Sequence, residues 1–390
     1  MRAWLLALWL ASAPAVAQGP ALVVGAVLPE TGLLADLAGD MGKALVLWQD
    51  ERNAAGGLLG QRVELRILDD HSEAVASAAL YSRLIDAEGA QLLIGPFGSA
   101  ASVVANAVAE RSRRVMVDAS GVSSNTRRAS RRYVFQVAAP TSEVGASALE
   151  VVLARGLRRL FVVARNDPGA REAAAGLVKQ AAAAGLEPGQ VQPVSPGALD
   201  YATQIAAARA RDAQAWIAFG QPEDAAEMVK SFKRLGYAPP LFLAQGAAEP
   251  RFVQLVGRDA EFVLGLTTYD TRFVTRGNAE FVQAWRKRWA REPGALAAVT
   301  YSAALVLQEG VRKAGTLDQE SLRAALAAID IETPIGRYRV DAAGKLAAAR
   351  PVVVQIIAGR REVVWPRALA TAPLRLPYPR WDERQAHAAQ

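Results

Sequence analysis

The sequence predicts an α/β protein made of two similar halves, each organised around a parallel, doubly wound sheet. Three observations carry this expectation. Short apolar runs alternate with stretches of helical period from residue 21 to about residue 243, which is the strand–helix alternation of parallel sheets. The series is interrupted at Pro140 and then starts afresh. A chain of 390 residues, 52 % of them hydrophobic, also exceeds what one core usually serves, so two domains or one split domain is expected.

The elements follow in order. The first 17 residues, M-R-A-W-L-L-A-L-W-L-A-S-A-P-A-V-A, combine a basic start, an apolar run and a small-residue A-V-A site, the pattern of a secretory leader with Gln18 as the mature terminus. Residues 21–28 are continuously apolar, as in a strand covered on both faces. Leu37, Met41, Leu45 and Trp48 then share one helix face, and that helix stops at Asn53 and Gly56-Gly57. A strand over 63–68 ends in Asp69-Asp70, and helical period resumes over 73–88 through Val75, Ala79, Leu80 and Leu84.

Residues 91–102 read Q-L-L-I-G-P-F-G-S-A-A-S. The apolar triplet is a buried strand, Gly95-Pro96 breaks it, and Ser99 stands where a helix begins and runs through residue 108. A helix N-terminus at the carboxyl end of a strand offers free N–H groups to an anion, and Ser99 adds a hydroxyl. The plainer reading makes Ser99 an N-cap, with Gly95 and Gly98 serving the turn. A strand over 114–117 and a loop rich in Ser, Gly and Asn (119–126) lead to a strand over 133–137.

Behind Pro140 come a helix over 142–153, a strand over 160–164, a helix over 170–184, a strand over 191–194, a helix over 201–210, a strand over 215–219, a helix over 225–235 and a strand over 241–243. No residue-level repeat relates the two series, so their similarity is one of architecture. A strand over 262–268 precedes a mainly helical stretch, in which Phe281, Trp285 and Trp289 recur every four residues as a core stripe. Helices over 297–311 and 319–327 and strands over 335–340 and 352–357 follow, with Gly359-Arg360-Arg361 turning into 362–364. From Pro366 the chain carries four prolines and Trp381, which predicts an extended surface tail with docked aromatic rings.

Composition excludes several kinds of chemistry. With no cysteine there is no disulfide, no thiolate metal site, no Cys nucleophile and no lipid-anchoring cysteine. No stretch approaches the ~20 apolar residues that span a bilayer. Net charge is +7, one less once Arg2 leaves with the leader. The arginine runs at 111–114 and 127–132 lack the interleaved aromatic residues of a nucleic-acid surface, so solvated surface is the expectation and no nucleic-acid partner is foreseen. Only His71 and His387 are available for acid–base work, and neither stands in a nucleophile elbow or a metal spacing. G-D-M-G-K-A at 39–44 lacks the first Gly and the closing Ser or Thr of a P-loop, and the Gly56-Gly57-x-x-Gly60 cluster precedes a strand instead of opening a helix. Asp69-Asp70 reads as a metal or acid–base pair or, more plainly, as a strand-end turn. No catalytic residue, metal site or cofactor is assigned.

Five segments carry a resemblance: P-E-T-G-L-L at 29–34, D-E-R-N-A-A-G-G-L-L-G-Q-R-V-E-L at 50–65, D-D at 69–70, L-L-I-G-P-F-G-S at 92–99 and Y-V-F-Q-V-A-A-P at 133–140. In order and spacing they resemble the branched-chain-amino-acid-binding (Leu/Ile/Val-binding) family of type I periplasmic solute-binding proteins of ABC importers, over nearly all the mature chain up to about Trp365. The resemblance implies two Rossmann-like lobes joined by three hinge strands: 18–139 with 269–337, and 140–268 with 338–365, leaving 366–390 as a tail. It also implies a monomer that captures a small molecule in the periplasm and delivers it to permease and ATPase subunits. A sensor subunit without transport, or an enzyme on the same fold, are the alternatives.

Carried over residue by residue, the resemblance makes Phe97, Gly98 and Ser99 holders of a ligand carboxylate, with the backbone of Ser120. Val122 stands where the family has a threonine, unless Ser123 or Ser124 replaces it. Pro168 stands in place of a cleft tyrosine, Gln221 lies near another aromatic position, and Gln245 falls where an acidic residue pairs with the ligand ammonium. Burying an ammonium without a carboxylate costs several kcal/mol. These departures therefore suit a neutral amide or a carboxylate lacking an amino group, unless Asp118, Glu223, Asp224 or Glu249 supplies the charge.

Overall fold

The computed structural model describes residues 20–123, 126, 132–341, 346 and 351–384. The leader, Ser124, Arg127, Arg128, Arg131 and His387 therefore lie outside the described residues, as does the side chain of Leu37. The chain runs β1 (Leu22–Leu28), α1 (Ala35–Ala54), β2 (Val63–Asp69), α2 (Ala76–Asp86), β3 (Leu92–Ile94), α3 (Ser99–Arg111), β4 (Met116–Asp118) and β5 (Val134–Gln136). It continues through α4 (Ala146–Ala154), β6 (Leu160–Arg165), α5 (Pro168–Ala183), β7 (Gln192–Val194), α6 (Ala202–Ala210), β8 (Ala215–Phe219), α7 (Pro222–Arg234), β9 (Leu241–Ala244), α8 (Pro250–Val256) and β10 (Leu264–Thr267). The last elements are α9 (Asn278–Trp289), α10 (Ala295–Ala314), α11 (Gln319–Ala327), β11 (Asp330–Thr333), β12 (Gly336–Arg339), β13 (Val352–Ile357) and β14 (Arg360–Trp365).

Two doubly wound sheets result. The first orders its strands β2-β1-β3-β4-β5, all parallel. The inner strands β1 and β3 are apolar on both faces because both are covered: Met41, Leu45 and Trp48 of α1 pack with Val306 and Leu307 of α10 on one side, and Tyr81 and Leu84 of α2 with Ala105 and Val108 of α3 on the other. The second sheet orders β14-β13-β10-β9-β8-β6-β7, parallel from β10 to β7 and finished by the antiparallel pair β13 and β14. Its faces bury against α4 and α5 on one side and α6, α7 and α8 on the other. Phe281 and Trp285 form the expected core stripe of α9 within the first unit.

The chain passes between the units from β5 to α4, from β10 to α9 and from β12 to β13. At the second passage Asp270, 2 % exposed, takes three bonds from Arg272, one from its backbone N–H and two from its guanidinium, which also meets Glu362 of β14 at 2.7 Å. Arg361 reaches the same aspartate at 3.3 Å. At the last passage Tyr338 pairs with Ile331 and joins the core of the first unit.

Several boundaries differ from the sequence expectation, each for a local reason. The helix expected over 142–153 is a short 3-10 turn, Thr141–Glu143, followed by α4, with Gly145 between them pressed against Leu177 and Phe219. α5 and α7 begin earlier than periodicity implies, because each opens on a proline at its first turn behind a capping residue, Asp167 or Gln221. α8 and β11 went unforeseen: the first has only seven residues, and the second is a short D-I-E-T edge strand. Tyr378 of the tail is buried and Trp381 Nε1 donates to the Tyr237 carbonyl at 2.9 Å, so the aromatic rings are docked.

Candidate functional site

Parallel sheets leave a crevice outside the carboxyl ends of their strands, where loops diverge to helices on opposite faces. A cavity of about 320 Å³ occupies such a place. Its walls come from the loops behind β6 (Asp167, Gly169), β8 (Gly220, Gln221, Pro222) and β9 (Gln245, Gly246, Glu249), with Val122 from behind β4 and Thr141 from the first passage between the units. Thr141 N–H donates to the Val122 carbonyl at 2.8 Å, which fixes that wall. A larger hollow of about 610 Å³ lies between the end of α4, β14 and the tail. It draws no residue from the first unit, so filling it would not couple the two units, and the crevice is the better candidate.

The positive helix ends at the crevice are already answered from within the fold. Asp167 caps α5 by accepting from Ala170 N–H at 2.9 Å, and its carboxylate pairs with Arg165 at 3.2 Å. Gln221 and Asp224 form a capping box on α7, and Asp224 also meets Arg165 at 3.4 Å. Glu249 precedes α8 but makes no side-chain cap bond, and it joins no ion pair among the described residues.

The 96–99 turn is also internally bonded. Ser120 Oγ donates to the Pro96 carbonyl at 2.6 Å and accepts from Gly98 N–H at 2.8 Å. Gly98, with φ of 85°, holds the cap position, so Ser99 is the first residue of α3 and makes no cap bond. This corrects the plainer reading of Ser99: a left-handed cap suits glycine, and the serine hydroxyl instead accepts from Ser123 N–H at 3.1 Å. The Gly98 amide is spoken for, whereas the N–H groups of Ser99, Ala100 and Ala101 have no partner within the helix. Behind the turn, Asp118 is fully buried and takes N–H bonds from Ser120 and Gly121; burial pushes its carboxyl up, against the pull of those two N–H groups.

Asp69, His71 and Thr31 stand apart from the cavity. Asp69 accepts from the N–H groups of Glu30, Thr31 and His71 and from the Thr31 hydroxyl, tying the loop behind β1 to the loop behind β2. The Thr31 hydroxyl and the Asp69 carboxylate both approach the same ring nitrogen of His71, at 2.7 and 2.9 Å, so the group has no relay geometry. No group of three or more metal-ligating side chains occurs among the described residues, and no described helix is long and apolar enough to cross a membrane.

The sequence profile of the periplasmic binding proteins matches residues 21–360. The chain belongs to the periplasmic binding protein family. It is 25 % identical over 395 aligned residues to Leu/Ile/Val-binding protein homolog 7 of Brucella abortus, covering 95 % of this chain and 97 % of that one. Among solved structures, a putative branched-chain amino acid ABC transporter protein from Silicibacter pomeroyi aligns with a TM-score of 0.82 at 19 % identity, over 92 % of this chain and 99 % of that one. A solute-binding protein of an ABC transporter from R. palustris, in complex with benzoate, aligns with a TM-score of 0.69 at 20 % identity, over 93 % and 97 % of the two chains. These likenesses establish the two-lobed type I fold.

Within this periplasmic binding protein, the residues singled out in the sequence fall into two groups. Val122, Gln221 and Gln245 line the cavity, and Pro168 is flanked there by Asp167 and Gly169. Phe97, Gly98, Ser99 and Ser120 form the bonded turn of the first unit and lie outside the cavity wall, with Phe97 leaning on the first core. Among the four candidate acids, Asp118 and Asp224 are committed inside the fold and Glu223 pairs with Arg251 at 3.3 Å. Only Glu249 of the four reaches the cavity. Sequence reasoning missed Asp167 and Thr141; the D-P-G at 167–169, a helix-start signature behind a strand, is the signal that marks the first.

Proposed function

We propose that this chain is the solute-capturing component of an ABC importer, holding a small organic molecule in the crevice and presenting it to a membrane permease without chemical change. The observation that carries this reading is the 320 Å³ cavity whose wall is drawn from both units, at the carboxyl ends of strands in both sheets. A ligand there touches both units at once, so its binding energy favours their approach, and a partner that prefers the closed form reads occupancy. The lobes in this reading are 18–139 with 269–337 and 140–268 with 338–365, exported to the periplasm behind the leader at 1–17. Val122, Gln221, Gln245 and the loop at Pro168 form the contact wall, and the turn of Phe97, Gly98 and Ser120 sets the start of α3 so that the free N–H groups of Ser99, Ala100 and Ala101 face an acidic end of the solute.

The test is paired. Small-angle scattering should show a smaller radius of gyration when a solute that raises Tm is added. Deletion of the gene should abolish cellular uptake of that solute, and restoring the gene should return it. Turnover of the solute by the purified protein, or uptake unaffected by the deletion, would overturn the reading.

A further inference from the structure

The starts of α5 and α7 meet over one guanidinium. Arg165, the last residue of β6, reaches Asp167 Oδ2 through Nε at 3.2 Å and Asp224 Oδ2 through Nη1 at 3.4 Å. Each carboxylate is already fixed to its own helix: Asp167 Oδ1 accepts from Ala170 N–H at 2.9 Å, and Asp224 Oδ2 accepts from Gln221 N–H at 2.8 Å. The bridge therefore joins two capped helix starts that belong to different strand-end loops. Those loops supply part of the cavity wall, Asp167 and Gly169 from behind β6 and Gly220, Gln221 and Pro222 from behind β8. They have no slack where they meet: a Cβ on Gly220 would stand 2.7 Å from Asp224 Oδ2 and 3.4 Å from Arg165 Cβ. Arg165 itself is half-buried behind this wall and is not part of it.

We infer that Arg165 is a positioning residue that determines specificity by size: its guanidinium sets the spacing of the α5 and α7 starts, and with it the width of the crevice. This rests on the reading of the chain as a solute receptor and adds what limits the bulk of the solute. Both cap bonds survive without Arg165, so its removal frees the two helix starts from each other without uncapping either. Asp167 and Asp224 would then be neighbouring carboxylates with no shared cation among the described residues, and would repel each other. Only a planar fork of N–H donors holds both acids at once; a lysine ammonium keeps the charge and loses that geometry. A cavity of about 320 Å³ is at the small end of small-molecule sites, so a slight widening changes what fits.

The experiment compares the whole mature protein with its Arg165→Met and Arg165→Lys variants in two ways. The chain has no cysteine, so Arg171→Cys on α5 and Glu223→Cys on α7, both exposed, take spin labels cleanly, and pulsed electron resonance reads the separation of the helix starts without any solute. Calorimetry reads dissociation constants for two probe pairs that share a head and differ in bulk: L-leucine with L-tryptophan, and benzoate with naphthalene-2-carboxylate. Both variants are expected to shift and broaden the label separation. In the pair that binds, the preference for the smaller probe is expected to fall about tenfold, the scale on which pocket size discriminates. An unchanged separation would overturn the inference, as would a widened one with the preference intact. Recovery of both readouts by Arg165→Lys would show that charge alone suffices, and overturns it too. If no probe binds the wild type, the label separation decides alone, widened for the inference and unchanged against it, while the uptake experiment decides the receptor reading separately.

Discussion

Ser123 Oγ donates to Glu172 Oε2 at 3.2 Å, joining the loop behind β4 in the first unit to α5 in the second. The same serine gives its N–H to Ser99 Oγ, so a chain of bonds runs from the start of α3 across to α5. A contact that exists only when the units are close adds to the stability of that arrangement. Ser123→Ala removes the hydroxyl and leaves the N–H. The expected outcome is a larger radius of gyration for the unliganded protein and a loss of solute affinity of about fivefold, as a net bond of ~1 kcal/mol implies. Unchanged scattering together with unchanged affinity would remove any coupling role from this pair.

Ser99→Ala separates two roles of one hydroxyl. Loss of the acceptor for Ser123 N–H should cost stability by about 1 kcal/mol, whatever the protein binds. If the hydroxyl also donates to a solute carboxylate, leucine should bind more weakly by about 1.5–3 kcal/mol, while an amine without a carboxylate should be unaffected. Calorimetry with both probes reads the difference. Equal leucine affinity in wild type and variant would leave Ser99 with the structural role alone.

Asp69 gives a pH signature. Burial pushes its carboxyl up, but the Thr31 hydroxyl and the N–H groups of His71, Thr31 and Glu30 together outweigh that and bring its pKa down to about 2. A folded-state pKa below the unfolded value adds stability that is fully present above the unfolded value and is lost as pH falls through the folded one. Wild-type Tm should therefore decline between about pH 4, the unfolded carboxylate range, and about pH 2. Asp69→Asn should have a lower Tm at pH 7 and lack that part of the decline. A decline of identical size in the variant would show that the loop staple contributes nothing through ionisation.

Much of the fold was legible because its signals are local. Asn53 bonds both the N–H and the carbonyl of Val63, at 2.8 and 3.0 Å, and a Cβ at Gly57 would lie 1.9 Å from the Gln61 carbonyl oxygen, so N-A-A-G-G-x-x-G spells out the turn from α1 to β2. P-E-T-G and D-D spell out the Asp69 staple in the same way. The charge balance of the crevice was not legible. Asp224 and Glu249 look equivalent in sequence, and what separates them is Arg165, 59 residues away from Asp224 at the end of β6. Nor did periodicity show that Gly98 and not Ser99 caps α3, because that turns on one backbone angle.

Gly246 tests how far the shape of the crevice depends on one close approach. The loop behind β9 passes so near the start of α7 that a Cβ on Gly246 would stand 2.3 Å from the carbonyl carbon of Gln221 and 2.5 Å from the nitrogen of Pro222. Backbone atoms at a capped helix start cannot swing aside as a flexible side chain would, so Gly246→Ala must push the two loops apart. Overpacking of this kind costs about 1–3 kcal/mol, read as a fall in Tm. Because Gln221 and Pro222 lie on one loop and Gln245 and Glu249 on the other, the shift also changes the spacing of the groups that line the cavity. Affinity should therefore fall by more than in a variant of equal Tm loss made elsewhere, such as Tyr378→Ala, whose buried ring packs against Phe242 away from the cavity wall. Equal affinity losses in the two variants would show that the Gly246 contact serves stability alone; a larger loss at Gly246 ties the spacing of these two loops to recognition.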